Sequence, residues 1–236
     1  MFYYRAAESR GKANFGWLQS QHTFSFGEYY DGDHMGISTL RVINDDVVAP
    51  GAGFGNHGHR DMEIISYILE GSIEHKDSMG NQFTVPAGEV QRMSAGTGIM
   101  HSEFNASKTE PLKFLQIWIT PNVTGIKPSY EQMPIVQSST MTALVTPDGR
   151  DGSLSIHQDA SIYRLKLTAG ESYELAALAK EENERVGYLH VVEGSSVNIG
   201  TGLKAGDGLG IIKDQLKLTA GDDGLVALWF DLPSEQ

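Results

Sequence analysis

Short apolar runs separated by glycine and proline dominate the pattern along the chain, which is typical of strands joined by turns. Alternating or β-branched stretches predict strands at residues 22–26, 38–43, 72–75, 82–85 and 112–119. Residues 57–69 are apolar at both parities, which indicates one long strand covered on both faces. Asn-Asp-Asp at 44–46 predicts a hairpin turn. The pattern therefore predicts an all-β protein.

An internal repeat divides the chain into two halves. In the first half YILEG at 67–71 is followed by PAGE at 86–89 and FLQIWITP at 114–121. In the second half HVVEG at 190–194 is followed by KAGD at 204–207 and VALWFDLP at 226–233. The order is the same and the spacings are similar, which predicts two copies of one β-domain. Residues 121–147 are rich in proline, glycine and serine and have weak periodicity, so we expect them to connect the halves.

Composition and charge narrow the function classes. The chain of 236 residues has no cysteine, which excludes disulfides and thiolate metal sites. A net charge of -12 without a basic run argues against direct nucleic-acid binding. The N-terminal residues contain no apolar stretch of signal-peptide length, and no run is long enough to span a bilayer. We therefore expect a cytoplasmic protein with no membrane partner.

Two pairs of potential metal ligands have i, i+2 spacing: His57 with His59, and His101 with Glu103. Residues at this spacing point to one side of a strand, so each pair can direct two donor groups at one point. We expect the two pairs to meet around one divalent metal ion. Three imidazoles and a carboxylate suit a redox-capable first-row metal with open positions, and zinc also binds such donors.

The repeat tests where this metal can bind. His57 and His59 lie 14 and 12 residues before Gly71, and the same offsets before Gly194 hold Lys180 and Glu182. The second half also has no counterpart of His101. If the repeat is real, only the N-terminal half holds the metal, with one ion per chain.

These motifs together resemble the cupin pattern. Its three parts are G-x5-H-x-H-x3-E at residues 51–63, G-x5-P-x-G at 80–88 and H-x3-N at 101–105. Twelve residues separate Gly88 from His101, where ordinary cupins have about two. The longer segment 89–103 is similar to that of the pirin branch of the cupins, as are residues 22–26, 40–46 and 148–153. The resemblance covers nearly the whole chain and is closest to bacterial pirins with quercetin 2,3-dioxygenase activity.

The resemblance implies an all-β bicupin, in which two jelly-roll-like β-barrels face each other. Residues 1–120 would form a metal-binding cupin domain, 121–147 a connection, and 148–236 a degenerate cupin domain without metal. The metal in the N-terminal barrel would be Fe²⁺ by preference, with Zn, Mn, Co, Ni or Cu as alternatives.

Two carboxylates are candidates for the fourth ligand. The general cupin pattern points to Glu63, and the pirin branch uses the position of Glu103. Glu63 is four residues past His59, about 13 Å along an extended strand, whereas Glu103 is only two residues from His101. We therefore favour His57, His59, His101 and Glu103 as the ligands, with Glu63 in the outer shell or in a surface pair.

The implied activity is that of a quercetin (flavonol) 2,3-dioxygenase. The flavonol 3-hydroxyl would bind the metal and lose its proton, with Glu103 as the general base, and the ring would open with O₂ and release CO. The alternative is an iron-dependent redox-sensing protein that binds a transcription factor or a metabolic enzyme. The cupin fold also serves isomerases and storage proteins.

Other polar and aromatic residues have structural interpretations. His34, His75, His157 and His190 have no partner at ligand spacing, and His22 is also interpreted as structural. Four aromatic residues are predicted to lie in the core: Phe24, Phe26, Phe114 and Trp118. Gln116 lies between apolar neighbours and is predicted to face a pocket.

Overall fold

In a computed structural model, which describes residues 2–176, 184–197, 202–212 and 215–234, the chain is built almost entirely of strands. The elements are β1 Phe2–Arg5, η1 Ala7–Ser9, β2 Gly11–Asn14, β3 Leu18–His22, β4 Leu40–Val48, β5 Gly53–His59, β6 Glu63–Glu70, β7 Ser72–Asp77, β8 Gln82–Pro86, β9 Glu89–Ser94, β10 Ile99–Asn105, β11 Leu112–Ile119, β12 Ser129–Pro134, β13 Met141–Thr146, η2 Arg150–Gly152, β14 Leu154–Ser155, β15 Ser161–Leu167, β16 Ser172–Ala176, β17 Arg185–Ser196, β18 Leu203–Lys204, β19 Gly208–Ile212 and β20 Gln215–Pro233. The described part of the chain has no helix of the length and apolarity that a bilayer span requires. The all-β prediction is confirmed.

The N-terminal half forms two sheets that pack against each other. One has seven strands in the order β12-β9-β6-β11-β4-β3-β2, and the other has four in the order β5-β10-β7-β8. Apolar side chains from both sheets pack together in part of the space between them, including Ile68 and Phe114 from the larger sheet and Ile73 and Val85 from the smaller one. Burial of this shared core closes the half into a cupin barrel.

The C-terminal half forms a nine-stranded sheet whose main path is β1-β19-β17-β20-β15-β13-β14. Its interior is apolar and includes Leu189 and Trp229. A separate apolar cluster joins the halves, in which Tyr67 lies with Tyr188 and Phe230. The predicted bicupin is confirmed, and β1, the first strand of the chain, lies on the sheet of the second half.

Residues 57–69 form two strands instead of the single strand that their pattern predicts. β5 ends at His59 and β6 begins at Glu63, and the two strands belong to different sheets. Between them Asp61 has a φ of 46°, the left-handed conformation of a tight turn. Coverage of β6 on both faces is confirmed, because Ile65 packs between the halves and Ile64 packs inside the N-terminal barrel.

Residues 44–46 lie within β4, so the predicted hairpin turn is wrong. β4 pairs with β3 on one side and with β11 on the other along this stretch. Asn44 and Asp46 are buried and line a cavity in the barrel, while Asp45 lies within 3.4 Å of Arg10. Asparagine and aspartate favour turns where their side chains bond to their own backbone, but here the polar interior supports them in a strand.

Residues 121–147, predicted as a connection, contain β12 and β13. β12 pairs with β9 of the first half, and β13 pairs with β15 of the second. The domain boundaries at residues 120 and 147 stay predictions. Lys180 and Glu182, the compared positions of the repeat, lie outside the described residues.

Candidate metal centre

Three histidines from two neighbouring strands meet on the inner side of the small sheet. His57 and His59 lie on β5, and His101 lies on β10 directly opposite His57. One ring nitrogen from each of the three lies within 4.8 Å of the others. Nε2 of His57 is 3.1 Å from Nε2 of His101. The strand parity of the H-x-H pair therefore brings its two rings to one point, as the sequence predicts.

The imidazole rings of His59 and His101 are neutral, which is the form that binds a metal cation. Burial, together with His101 and His57, lowers the pKa of His59 to about 4. Burial, together with His57 and His75, lowers the pKa of His101 to about 3. Both imidazoles are thus neutral near pH 7. Nδ1 of His57 donates to the carbonyl of Gly55 at 2.7 Å, which leaves the Nε2 lone pair facing His101.

Glu103 lies on the same strand as His101 and is buried. Gln91 donates to its Oε1 at 2.7 Å, and Gln116 donates to its Oε2 at 2.9 Å. A carboxylate oxygen of Glu103 lies within 4.8 Å of a ring nitrogen of His101 and of His75. These three residues form a second group of potential ligands. Two amide donors therefore orient this carboxylate beside the histidines.

The amides that hold Glu103 belong to a polar row across the inner face of the large sheet. The row runs over directly paired positions of five strands: His22, Asn44, Gln116, Ser66 and Gln91. His22 Nδ1 lies 2.8 Å from Asn44 Oδ1, and Gln91 donates to Ser66 Oγ at 3.0 Å. A buried row of this kind is stable only when its members bond to each other, and it fixes the position of Glu103.

Glu63, the other carboxylate of the cupin pattern, lies elsewhere. It is on β6 in the large sheet, only 1% exposed, and its carboxylate accepts a hydrogen bond from Ser94 at 2.7 Å. His157 from the second half lies 3.2 Å from its other oxygen. Among the described residues, neither group of potential ligands contains Glu63. The Glu63 carboxylate is therefore buried at the contact between the halves, although the His157 side chain that it meets there is 39% exposed.

A cavity of about 830 Å³ opens onto His57, His59 and Glu103. Aromatic side chains line much of it: Phe15, Trp17, Phe26, Tyr29, Phe54 and Trp118. Phe26 and Trp118, predicted as core, are therefore cavity residues, while Phe24 and Phe114 are buried in the core as predicted. A large aromatic cavity with a few polar groups suits a planar organic ligand.

Two polar residues of the cavity wall can be compared with their predicted roles. Gln116 faces the cavity, as predicted. His22, interpreted as structural, also lines it, because it continues the inward face of β3.

The sequence analysis missed the positions of two histidines beside glutamates, because these neighbours are distant in sequence. His75 is fully buried on β7, opposite Glu103, and its Nε2 lies 3.0 Å from Asp77. His157 contacts Glu63 across 94 positions of the chain. His75 and Asp77 do share the i, i+2 spacing, but no local spacing reveals that His75 lies beside Glu103 or that His157 meets Glu63.

Comparison with known proteins agrees with the geometry. Residues 4–119 match the family model Pirin, and residues 143–232 match the model described as a quercetinase C-terminal cupin domain. The chain is 50% identical over 235 residues to quercetin 2,3-dioxygenase of Escherichia coli strain K12, covering 99% of each protein.

Solved structures give the same relationship. The bacterial pirin YhhW of Escherichia coli in complex with nickel(II) superposes with a TM-score of 0.92 at 49% identity, covering 99% of this chain and 100% of that one. A quercetin 2,3-dioxygenase from Acinetobacter baumannii shares the fold, with a TM-score of 0.73 at 19% identity, covering 98% and 85%. The full-length match to relatives of this kind, with both family models in order, makes the chain a member of the pirin family of the cupins.

Proposed function

We propose that this pirin is a metal-dependent quercetin (flavonol) 2,3-dioxygenase. The observation that carries the proposal is the cluster of His57, His59 and His101, with Glu103 two residues further along β10, beside a cavity of about 830 Å³. A catalytic metal needs positions open to substrate, and the cavity reaches His57, His59 and Glu103. The name of the Escherichia coli relative, quercetin 2,3-dioxygenase, supports the same class of reaction.

The metal would be held by His57, His59, His101 and Glu103. The neutral rings of His59 and His101 can each give a lone pair, and so can Nε2 of His57. Such nitrogen and oxygen donors suit Fe²⁺, which we favour, and also other first-row ions. The bacterial pirin YhhW has been crystallised with nickel(II). Both groups of potential ligands among the described residues lie in the N-terminal half, which supports one ion per chain.

When bound, the metal supplies positive charge that acidifies a coordinating hydroxyl and a redox centre for dioxygen chemistry. The aromatic walls, including Phe54 and Trp118, hold the planar rings of the flavonol. Glu103 accepts the proton of the 3-hydroxyl. A carboxylate offers about four lone-pair positions, and Gln91, Ser66 and Gln116 already donate to three of them, so uptake of the proton requires the bond between Glu103 and the metal to be labile.

The overall reaction is balanced by one molecule of dioxygen. Its two atoms bond to C2 and C4 of the flavonol, the C2–C3, C3–C4 and O–O bonds break, and the proton of the 3-hydroxyl ends on the carboxyl group formed at C4. C3 leaves as carbon monoxide with its own oxygen, and both atoms of dioxygen remain in the ring-opened ester. No external reductant is required.

Oxygen uptake combined with elemental analysis tests the proposal. Metal-loaded wild type is expected to consume oxygen and release CO with quercetin, and His57→Ala is expected to lose both metal and activity. Glu103→Gln should lower oxygen uptake about 100-fold or more, since loss of a general base typically costs about 10²–10⁴-fold. Glu63→Gln is the matched control, because this carboxylate lies outside both ligand groups among the described residues.

A fully metallated wild type that consumes no oxygen with any flavonol would refute this function. An equal loss of metal in Glu63→Gln and Glu103→Gln would refute the assignment of the fourth ligand. The names of the relatives give no support to the alternative, an iron-dependent redox-sensing interaction protein.

A further inference from the structure

A second buried carboxyl, that of Asp46, lines the same cavity as Glu103. Asp46 lies on β4 and is only 3% exposed. Its Oδ1 is buried and has no hydrogen-bond partner among the described residues. Buried polar atoms are nearly always bonded, so an unpartnered carboxyl oxygen at a cavity wall points to a group supplied by a ligand.

The position of Asp46 relative to Glu103 follows from strand register. Asn44 and Asp46 face the cavity from β4, and Asn44 is paired with Gln116, whose amide donates to Glu103. Asp46 is two residues further along, which is about 7 Å on an extended strand. It therefore lies one step along the cavity wall from the proposed metal ligand, within the length of a three-ring aromatic molecule.

The surroundings of Asp46 favour a hydroxyl group as its ligand. Ser20 lies directly opposite on β3 and lines the cavity as well. Burial, with a smaller effect of the Asp45 and Glu103 charges, raises the pKa of Asp46 to about 7, against a hydrogen bond from Ser20 that lowers it. Near neutral pH the carboxyl is protonated about half of the time, so it can donate as well as accept a hydrogen bond.

We infer that Asp46, with Ser20, forms a specificity subsite that binds a second hydroxyl of the substrate, on a ring position remote from the reacting 3-hydroxyl. The subsite selects polyhydroxylated flavonols over analogues that carry only the 3-hydroxyl. It rests on the proposed function for the orientation of the substrate. A site built to bond a hydroxyl rejects analogues without it, because its own polar groups then stay unpaired.

Binding under anaerobic conditions tests the subsite without requiring turnover. Metal-loaded protein is titrated with quercetin and with 3-hydroxyflavone, and quenching of the fluorescence of Trp17 and Trp118, which line the cavity, reports occupancy. Wild type is expected to bind quercetin about 10- to 100-fold more tightly than 3-hydroxyflavone. In Asp46→Ala this preference should fall about tenfold or more.

Two further variants separate recognition from a general defect. Asp46→Asn keeps the shape and one acceptor, and it should retain part of the preference. Asp45→Asn is the matched control, because Asp45 is the next residue of the same strand but contacts Arg10 outside the cavity. It should leave the preference unchanged. Elemental analysis of each variant checks that its metal content equals that of wild type.

Three outcomes would overturn the subsite: no binding of quercetin by wild type, no preference for quercetin, or a preference that survives in Asp46→Ala. Failure of the proposed function looks different. Wild type would then bind quercetin with the Asp46-dependent preference but would consume no oxygen, so the subsite would stand and the dioxygenase activity would not.

Discussion

Replacement of Asp46 by asparagine should stabilise the protein, and by more at pH 8 than at pH 5. The pKa of Asp46 is raised from 3.8 to about 7 in the folded protein, mainly by burial. Between these values the unfolded chain has lost the proton while the folded chain keeps it. Stability therefore falls as pH rises through this window and levels off above pH 7, because the unfolded state binds fewer protons.

The size of the effect follows from the same two values. A difference of about 3 pH units corresponds to about 4 kcal/mol above pH 7, and to about 2 kcal/mol at pH 5. Asparagine cannot ionise, so the variant escapes this penalty. The stability difference between Asp46→Asn and wild type should then grow by about 2 kcal/mol from pH 5 to pH 8, or about 4–8 °C in Tm.

Calorimetry of chelator-treated protein at both pH values measures this difference, since a cation in the cavity would itself favour the carboxylate. All other titrating groups cancel when the variant is compared with wild type at each pH. Asp45→Asn again serves as the control, and its difference from wild type should grow much less, because the Asp45 charge is only a minor cause of the raised pKa of Asp46. Parallel pH profiles for wild type and Asp46→Asn would refute the reasoning.

Three further substitutions test other parts of the fold and site. Gln116→Leu removes the donor to Glu103 Oε2, so metal affinity should fall about tenfold in a chelator competition, and an unchanged affinity would contradict the positioning role. Asn105→Ala removes a buried amide that donates to three backbone carbonyls, and chemical denaturation should show a loss of about 1–3 kcal/mol. Gly187→Ala places a Cβ against the ring of Trp229, so the unfolding free energy should fall by about 1–3 kcal/mol; a melting curve identical to wild type would exclude the clash.

Local periodicity was sufficient to predict the histidine cluster. His57 and His59 share a strand face because their spacing is two, and His101 with Glu103 repeats that spacing on β10. The expected meeting of the histidines from the two pairs appears in the register of His101 with His57. Prediction of this cluster requires only the side-chain alternation of a strand and the fact that several ligands must meet at one metal ion.

Features that depend on tertiary context could not be predicted in the same way. Asn44 and Asp46 read as turn residues, since nothing in the sequence shows that they face a polar cavity. The turn at Asp61 is equally hidden, because its hydrogen-bond partners, the backbones of Gly96 and Gly125, are distant in sequence. His75 meets Glu103 only through the pairing of β7 with β10. In each case the deciding neighbour is distant in sequence.

The two halves use one fold in physically different ways. The N-terminal barrel contains a buried polar row and a cavity, whereas the interior of the C-terminal barrel is a packed apolar cluster that includes Leu189 and Trp229. Buried polar groups lower the free energy of unfolding unless they are hydrogen-bonded. The N-terminal barrel, which contains such groups, therefore has less stabilising apolar packing than the C-terminal barrel. The apolar cluster between the halves packs the C-terminal barrel against the N-terminal barrel and so stabilises the latter.

Because the proposed metal ligands all lie in the N-terminal barrel, metal removal should destabilise that barrel more than the C-terminal one. An ion that binds only the folded N-terminal barrel stabilises it by about 3 kcal/mol at a concentration 100-fold above its Kd. Chelation should therefore speed amide hydrogen exchange in β5 and β10, which carry the histidines, while β17 and β19 of the apolar barrel keep their protection. His57→Ala should show the fast exchange with or without metal. Equal loss of protection in both barrels would mean that the second half also depends on the ion, and would contradict a single site in the N-terminal half.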